Sequence, residues 1–395
     1  VPGASPGRRE QPMRVAVVTE SFLPTVNGVT NSVCKVLDFL ADSGHEAILI
    51  APAARNTPSS YRGFAVHAVP AVAYRQFPVG LPNPQVQRVL SAFAPDVLHA
   101  ASPFLLGAQA ISAANRIGVP SVAIFQTDVA GYAKRNHLGK AAALAWRFVR
   151  WIHEAADLTL VPSSSSERDL VAAGVTRLAR WGRGVDTERY HPRLRTHPDA
   201  VDLHTRLSPN GEVVLGYVGR VAPEKQLERF DELRGIDGIS LAIVGDGPST
   251  PSVGRLLRGM PVTWLGRMGG QRLAVAYASF DVFVHTGTEE TFGQTIQEAH
   301  AAGLPVVAPR AGGPVDLVHD GADGYLFDPD APSGDSSMRT LVEDLVVSRD
   351  LRLRMGESGR RAVRATTWNS VCTELLGHYR HVIAARRPVP VVEAV

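Results

Sequence analysis

The feature that most constrains this chain is a rhythm that runs, pauses and restarts. Short, almost continuously apolar segments alternate with helix-length ones. RVAVVTE from Arg14, HEAILIAP from His45, and segments at 64–69, 97–101, 121–126 and 158–161 form a first series. VVLGYVG (213–219), ISLAIVG (239–245), VTWLG (262–266), DVFVH (281–285) and PVVAP (305–309) form a second. Strands apolar on both faces and separated by helices belong to parallel sheets covered on both sides. Two series predict an α/β chain of two domains, whose ligands bind beyond the carboxyl ends of the strands. A length of 395 residues agrees, being too long for one ordinary core.

The Pro-, Gly- and Arg-rich residues 1–12 are expected to be a disordered leader. The first domain is expected at 13–190 and the second at 213–366. His191-Pro192, His197-Pro198 and the run from Ser208 to Gly211 mark 191–212 as a linker. A last helix at 367–386 carries Val371, Leu375, Leu376, Tyr379 and Val382, and 387–395 is a tail. The stretch 71–84, with three prolines, breaks the first series and predicts a surface loop. It is either an ordinary connection or a lip facing acceptor or membrane. A helix at 138–155 carries Trp146, Arg147, Phe148, Arg150 and Trp151, which suit a half-buried helix or one lying on anionic lipid.

A formal charge of +3 fits an anionic small molecule or an acidic membrane surface and shows no basic–aromatic groove for nucleic acid. Cys34 and Cys372 stand far apart in sequence and signal neither a disulfide framework nor a metal site. No apolar run approaches the ~20 residues of a membrane span and no secretory pattern opens the chain. The expected location is the cytoplasm, with a peripheral position on the inner face of the plasma membrane as the further option.

The stretch HTGTEETFGQTIQEAHAAGLPVVAP, 285–309, carries most of the chemistry. A helix is expected from near Phe292 to Gly303, with Glu290 just before it and Glu298 inside it. Eight residues at ~1.5 Å rise would set the two carboxylates about 12 Å apart. Between them, free amides of Thr291, Phe292, Gly293 and Gln294 suit a phosphate. Carboxylates repel phosphate and so serve hydroxyls on either side of it. An anion flanked by polyols describes a nucleotide diphosphate sugar. The plain alternative is that Glu290 complements the helix dipole and Glu298 faces water. Arg220 leaves the carboxyl edge of the strand at 213–219, and Lys225 opens the next helix. Two cations beside a helix N-terminus match the charge that develops on a departing diphosphate. The G-x-G-x-x-G fingerprint is missing after the first strand, so a nicotinamide cofactor is not signalled.

These residues resemble the retaining glycosyltransferases of family 4, which have the GT-B fold of two Rossmann-like domains facing across a cleft. The matching pieces are Asn27-Gly28-Val29, Gly184-Val185-Asp186, Gly219-Arg220 with Lys225, Val244 to Pro248, Leu265-Gly266, and the two glutamates with Phe292-Gly293. TESFLPTVNGVTNSV, FQTDVAGYA and WGRGVD further resemble actinobacterial GDP-mannose-dependent α-mannosyltransferases of lipoglycan synthesis, of the type acting on glucuronosyl diacylglycerol.

The resemblance implies transfer of mannose from GDP-mannose to a glycolipid acceptor, glucuronosyl diacylglycerol or phosphatidylinositol mannoside, without cofactor or metal. Arg220 and Lys225 would grip the diphosphate, and Glu290 would accept from sugar hydroxyls. Asn27 and Gly28 would approach the donor from the first domain. Glu298 would hold the ribose, and Gly266, Arg267 and Met268 would line the base. The last helix would cross back onto the first domain. Many relatives carry histidine where this chain has Gln126, which cannot be a general base. That departure fits a displacement in which the leaving phosphate takes the acceptor's proton. Asp128 nearby would orient sugar or acceptor. A UDP-sugar donor, or a protein that binds a nucleotide sugar without chemistry, are the alternative readings.

Overall fold

The computed structural model describes residues 11–74, 77–80, 83–126, 139–331 and 333–386. By its internal contacts the chain divides into two units. Unit 1 runs to Val161 and takes back Leu170–Trp181 and the chain from Cys372; unit 2 is Pro162–Asp169 with Gly182–Val371.

Unit 1 holds β1 (Arg14–Thr19), β2 (Glu46–Pro52), β3 (Ser60–Tyr61), β4 (Phe64–Val69), β5 (Ala71–Tyr74), β6 (Phe77–Gly80), β7 (Val97–Ala101), β8 (Ser121–Ile124), β9 (Leu158–Val161) and β10 (Leu178–Arg180). Eight of these form one sheet in the order β10-β9-β8-β7-β1-β2-β4-β3, parallel except for the short β3 edge. Ala16, Val18, Ile48, Ile50, Leu98 and Ala100 alternate along their strands to build one buried face. The final helix, Trp368–Arg386, belongs to this unit from Cys372 onward. Its buried Tyr379 hydroxyl lies 2.6 Å from His99 Nδ1, and Arg386 pairs with Asp157 at 2.7 Å.

Unit 2 holds β11 (Val213–Val218), β12 (Ile239–Val244), β13 (Val262–Gly266), β14 (Val282–Val284), β15 (Val306–Pro309) and β16 (Gly324–Phe327). All pairs are parallel and the order is β13-β12-β11-β14-β15-β16. Val214 and Val218 pack on one face with Phe280 and Phe283. Leu215 and Tyr217 pack on the other with Phe230 and Ile243. Burial on both faces is why these strands read as unbroken apolar runs. The order reverses between β11 and β14. A crevice opens at such a reversal, because the connections on either side leave in opposite directions.

Three expectations are corrected. Residues 191–212 are not a bare linker: Pro192–Thr196 is a 3-10 helix and Pro198–Leu207 an α-helix. His191 and His197 cap them through their side chains, and each proline takes the first helical position. The His-Pro pairs are therefore helix starts rather than breakers. Ala200, Leu203 and Leu207 are buried in the unit 2 core together with Val185 and Tyr190, so the first unit does not extend to 190. Within 71–84, the described residues Ala71–Tyr74 and Phe77–Gly80 are not loop but two antiparallel strands, β5 paired with β6. Pro78 is tolerated because a two-stranded ribbon has only edges. Arg75 lies outside the described residues.

Candidate active site

The reversal between β11 and β14 gathers the residues that carry charge. After β11 the chain passes Arg220 and turns through a short 3-10 helix, Pro223–Lys225, so Lys225 ends a tight turn instead of opening a long helix. After β14 it passes His285 and a polar turn before the helix Gln294–Ala301. The two loops are sewn together. Thr286 Oγ1 donates to the Lys225 carbonyl at 2.6 Å, and Gln226 Nε2 donates to Thr288 Oγ1 at 3.0 Å. Gly287 permits the approach, since a Cβ there would meet the Glu224 carbonyl oxygen at 2.9 Å and Lys225 Cα at 3.1 Å.

This seam places Lys225 Nζ 2.5 Å from Glu290 Oε2, with the two side chains 22% and 18% exposed. Burial alone would raise the Glu290 carboxyl. Lys225 overrides it, with help from the Arg183 cation, and brings it down to about 2. Glu290 is therefore a fixed anion. Its backbone is held as well, because Gly313 N donates to the Glu290 carbonyl at 2.6 Å. A Cβ on Gly313 would meet the Phe292 carbonyl oxygen at 2.3 Å, so only glycine fits there.

Arg183 adds a cation that the residue-by-residue reading did not assign. Its guanidinium stands 5.8 Å from the centre of the Phe292 ring and within electrostatic reach of Glu290. The WGRGVD stretch contained it, but no spacing rule ties residue 183 to residue 290. His285 was likewise unassigned; its Nε2 lies 3.9 Å from Glu290 Oε2. Arg220 leaves the same strand as predicted and is more open, 55% exposed with Glu224 at 3.8 Å. The Arg220 carbonyl accepts from the Tyr217 hydroxyl at 3.1 Å.

The helix itself begins later than expected. Gly293 has φ 107°, which is not helical, so the first helical residue is Gln294. The amides that open the helix are those of Gln294 and Thr295, while Thr291, Phe292 and Gly293 belong to the preceding turn. Gln294 also uses its side chain, donating to the Gly184 carbonyl at 3.1 Å. Because Glu290 is off the helix, helical rise does not measure its separation from Glu298.

Glu298 occupies different surroundings. The fully buried Tyr277 hydroxyl donates to Glu298 Oε2 at 2.9 Å, and Tyr190 stacks edge-on against Tyr277. Burial pushes the Glu298 carboxyl up to about 7, against the pull of both tyrosine hydroxyls. Nothing in the sequence pattern pointed to Tyr190 or Tyr277. Gly266 ends the edge strand β13, and Arg267 and Met268 follow it. Arg267 is largely exposed, Nε 3.9 Å from Asp246, while Met268 packs on the core. Met268 also lines a cavity of about 540 Å³ with Trp264, Leu265 and Arg272.

The remaining predicted residues lie in unit 1. Asn27 caps the helix Gly28–Asp42, its Oδ1 accepting from Thr30 N at 3.0 Å and its Nδ2 donating to Ser21 Oγ at 2.8 Å. Gly28 is the first residue of that helix. Gln126 is buried and lines a cavity of about 220 Å³ at the carboxyl ends of β1, β7 and β8, with Glu20, Phe104, Phe125 and Phe148. Asp128 lies outside the described residues.

Comparison with known proteins agrees with this geometry. Residues 26–189 match the model of Glycosyltransferase Family 4, and residues 212–344 match that of Glycosyl transferases group 1. A GDP-mannose-dependent alpha-mannosyltransferase of Mycolicibacterium smegmatis is 46% identical, covering 95% of this chain and 99% of that protein. One from Corynebacterium glutamicum is 42% identical over 96% of this chain and 92% of that protein. Among solved structures, Anabaena Alr3699/HepE in complex with UDP superposes with a TM-score of 0.75 at 18% identity, covering 93% of this chain and 100% of that one. WaaG, a glycosyltransferase involved in lipopolysaccharide biosynthesis, gives 0.69 at 14% identity over 93% and 99%. The structural neighbours fix the architecture as GT-B, two Rossmann-like units, and the sequence relatives fix the family. The chain belongs to glycosyltransferase family 4.

Proposed function

We propose that this glycosyltransferase moves mannose from GDP-mannose to a glycolipid acceptor with retention at the anomeric carbon. The observation that carries the reading is the cluster of Lys225, Arg220 and an ionised Glu290 at the strand-order reversal. It occurs in a chain 46% identical to a GDP-mannose-dependent alpha-mannosyltransferase. Arg220 and Lys225 hold the donor diphosphate, and Glu290 accepts from the sugar hydroxyls. Glu298 takes the ribose, and Gly266 to Met268 lie along the base.

As the C1–O bond to phosphate breaks, negative charge grows on the diphosphate oxygens, and fixed cations stabilise that change without reorganising. The acceptor hydroxyl forms the new bond to C1 on the same face. Its proton passes to the departing phosphate oxygen, since Gln126 has no basic group to take it. No metal is required, because the two cations fill that role.

The acceptor lies with unit 1, where Gln126 and the aromatic cavity are found. The helix Gly139–Ala155 supplies contact with an anionic membrane. Leu144 and Trp151 are 61% and 58% exposed, and Arg147 and Arg150 are exposed beside them. Trp146 and Phe148 instead turn toward the interior. No described helix is long and apolar enough to cross a membrane.

A donor panel tests the reading. GDP-mannose, UDP-glucose, UDP-galactose and ADP-glucose are each incubated with membrane lipid extract, and products are read by mass spectrometry. A hexose added to a glycolipid only from GDP-mannose is expected. Transfer from a different donor, or none from any, would overturn it.

A further inference from the structure

Five histidines are buried in the described residues, and four have evident work. His45 Nδ1 accepts from Met13 N at 3.0 Å. His99 bonds the Tyr379 hydroxyl at 2.6 Å, His153 the Thr159 hydroxyl at 3.1 Å, and His300 the Leu317 carbonyl at 3.2 Å. His285 is the exception. It is 2% exposed, and neither Nδ1 nor Nε2 meets a hydrogen-bond partner among the described residues. The Gly287 backbone approaches the ring without hydrogen-bonding geometry. Buried polar groups are normally satisfied, and an orphan is costly to the fold unless another state uses it.

Its position says what that state is. Past the end of β14, His285 N is fixed to the Val307 carbonyl at 2.8 Å, which anchors the residue to the sheet. Its Nε2 stands 3.9 Å from Glu290 Oε2, the same oxygen on which Lys225 Nζ sits at 2.5 Å. Burial holds the imidazole down at about 4, so it is neutral near pH 7 and one nitrogen carries a proton to give. The carboxylate thus has one partner in contact and a second within a small movement.

We propose that His285 is a positioning residue that takes over Glu290 when a donor diphosphate draws Lys225 onto itself. This rests on the donor reading above. A dianionic diphosphate competes with Glu290 for the ammonium, and the carboxylate would otherwise be left buried without a partner. Nε2–H of His285 then donates to Glu290 Oε2. Glu290 stays ionised and aimed at the sugar hydroxyls while Lys225 serves the phosphate.

The test compares His285→Gln, His285→Asn and His285→Leu for turnover and for binding of free GDP by calorimetry. A glutamine amide can place its N–H near the position of Nε2; an asparagine amide falls near Nδ1. GDP carries the diphosphate that draws Lys225 away, so its affinity should fall in His285→Leu and His285→Asn and recover in His285→Gln, while urea melts show that all three variants fold. The kcat of His285→Leu should fall about 10- to 100-fold, the worth of a hydrogen bond to a charged group. His285→Asn should fall similarly and His285→Gln should recover most of the loss. Leucine with near-normal kcat and GDP affinity, or glutamine no better than leucine in a folded protein, would each overturn the proposal. Wild-type protein that turns over normally isolates those failures to His285. Wild-type protein that binds none of GDP, UDP and ADP overturns the donor reading and this proposal with it.

Discussion

Lys225 Nζ lies 2.5 Å from Glu290 Oε2, although 65 residues separate them in sequence. The cation assigned to the diphosphate is thus also the counterion of the carboxylate assigned to the sugar. Substituting either changes two things at once, stability and chemistry, and the two can be separated.

For chemistry, Lys225→Ala should lower kcat by about 100- to 1000-fold, as loss of one preorganised group facing a developing charge does. A value of kcat near wild type would remove Lys225 from the leaving-group role. Chelators should leave turnover intact, and loss of activity on chelation would show that a metal shares the role.

For stability, the pair is mostly buried, with the Lys225 and Glu290 side chains 22% and 18% exposed, so Lys225 is more than a surface charge. Glu290 sits at about 2 instead of 4.5, a contribution on the order of 3 kcal/mol at neutral pH. A carboxyl lowered on folding stabilises above its unfolded value. The contribution is complete above about pH 4.5 and is lost as pH falls through about 2. Lys225→Ala should cost about 2–3 kcal/mol at pH 7, somewhat less than a fully buried pair. The deficit should shrink toward pH 2, where Glu290 is about half protonated in the wild type and protonated in the variant. Urea melts at pH 7 and pH 3 measure this. Adding Glu290→Gln to the lysine variant should restore stability but not activity.

Arg220 offers a cleaner separation. It is 55% exposed and pairs with Glu224 at 3.8 Å, a surface pair worth about 0–1 kcal/mol. Arg220→Lys should melt within a degree or two of wild type. Its kcat should nevertheless fall, because an ammonium cannot make a two-pronged contact with phosphate. Unchanged kinetics would mean that Arg220 touches no phosphate.

How much of this was legible beforehand follows from how each signal is encoded. The strands of unit 2 were readable because burial on both faces leaves apolar runs that no other element produces at that length. Arg220, Lys225 and Glu290 were readable as residues leaving carboxyl ends of strands, where the fold class puts ligands. What the sequence hid depended on long-range contacts. The two His-Pro pairs looked like breaks because their role as caps depends on what Ala200 and Leu203 pack against. The helix start was misplaced because a left-handed Gly293 reads the same as any glycine. Arg183 and His285 gain their meaning only from distances to Glu290. The tyrosines around Glu298 come from a helix and a loop whose patterns show ordinary burial.

Membrane contact turns on the outward stripe of the helix Gly139–Ala155. Trp151→Ser together with Leu144→Ser should reduce sedimentation with anionic vesicles severalfold. Arg147→Gln with Arg150→Gln should weaken it and flatten its dependence on salt. Binding that is equal on neutral vesicles, or unchanged in both double variants, would assign these side chains to another purpose.

Glu298 should behave in the opposite sense to Glu290. Its carboxyl is pushed up to about 7 by burial beside Tyr277 and Tyr190. A carboxyl raised on folding favours the native state below its unfolded value of 4.5, and that advantage is lost as pH rises through about 7. Wild-type protein at pH 8 therefore bears the cost of a half-buried carboxylate that it does not bear at pH 4. Glu298→Gln removes the charge and leaves an amide oxygen to accept from the Tyr277 hydroxyl. The variant should melt at or above wild type at pH 8, with the difference narrowing as pH falls toward 5. Nucleotide binding should move the other way, because a ribose hydroxyl prefers a charged acceptor. Wild-type affinity for GDP should increase as pH rises through about 7, and the variant should lose about 1–3 kcal/mol at pH 8 and much less at pH 5.5. Calorimetry at the two pH values reads this directly. If GDP binds both proteins equally at pH 8, the ribose is held elsewhere and Glu298 serves the tyrosine pair alone.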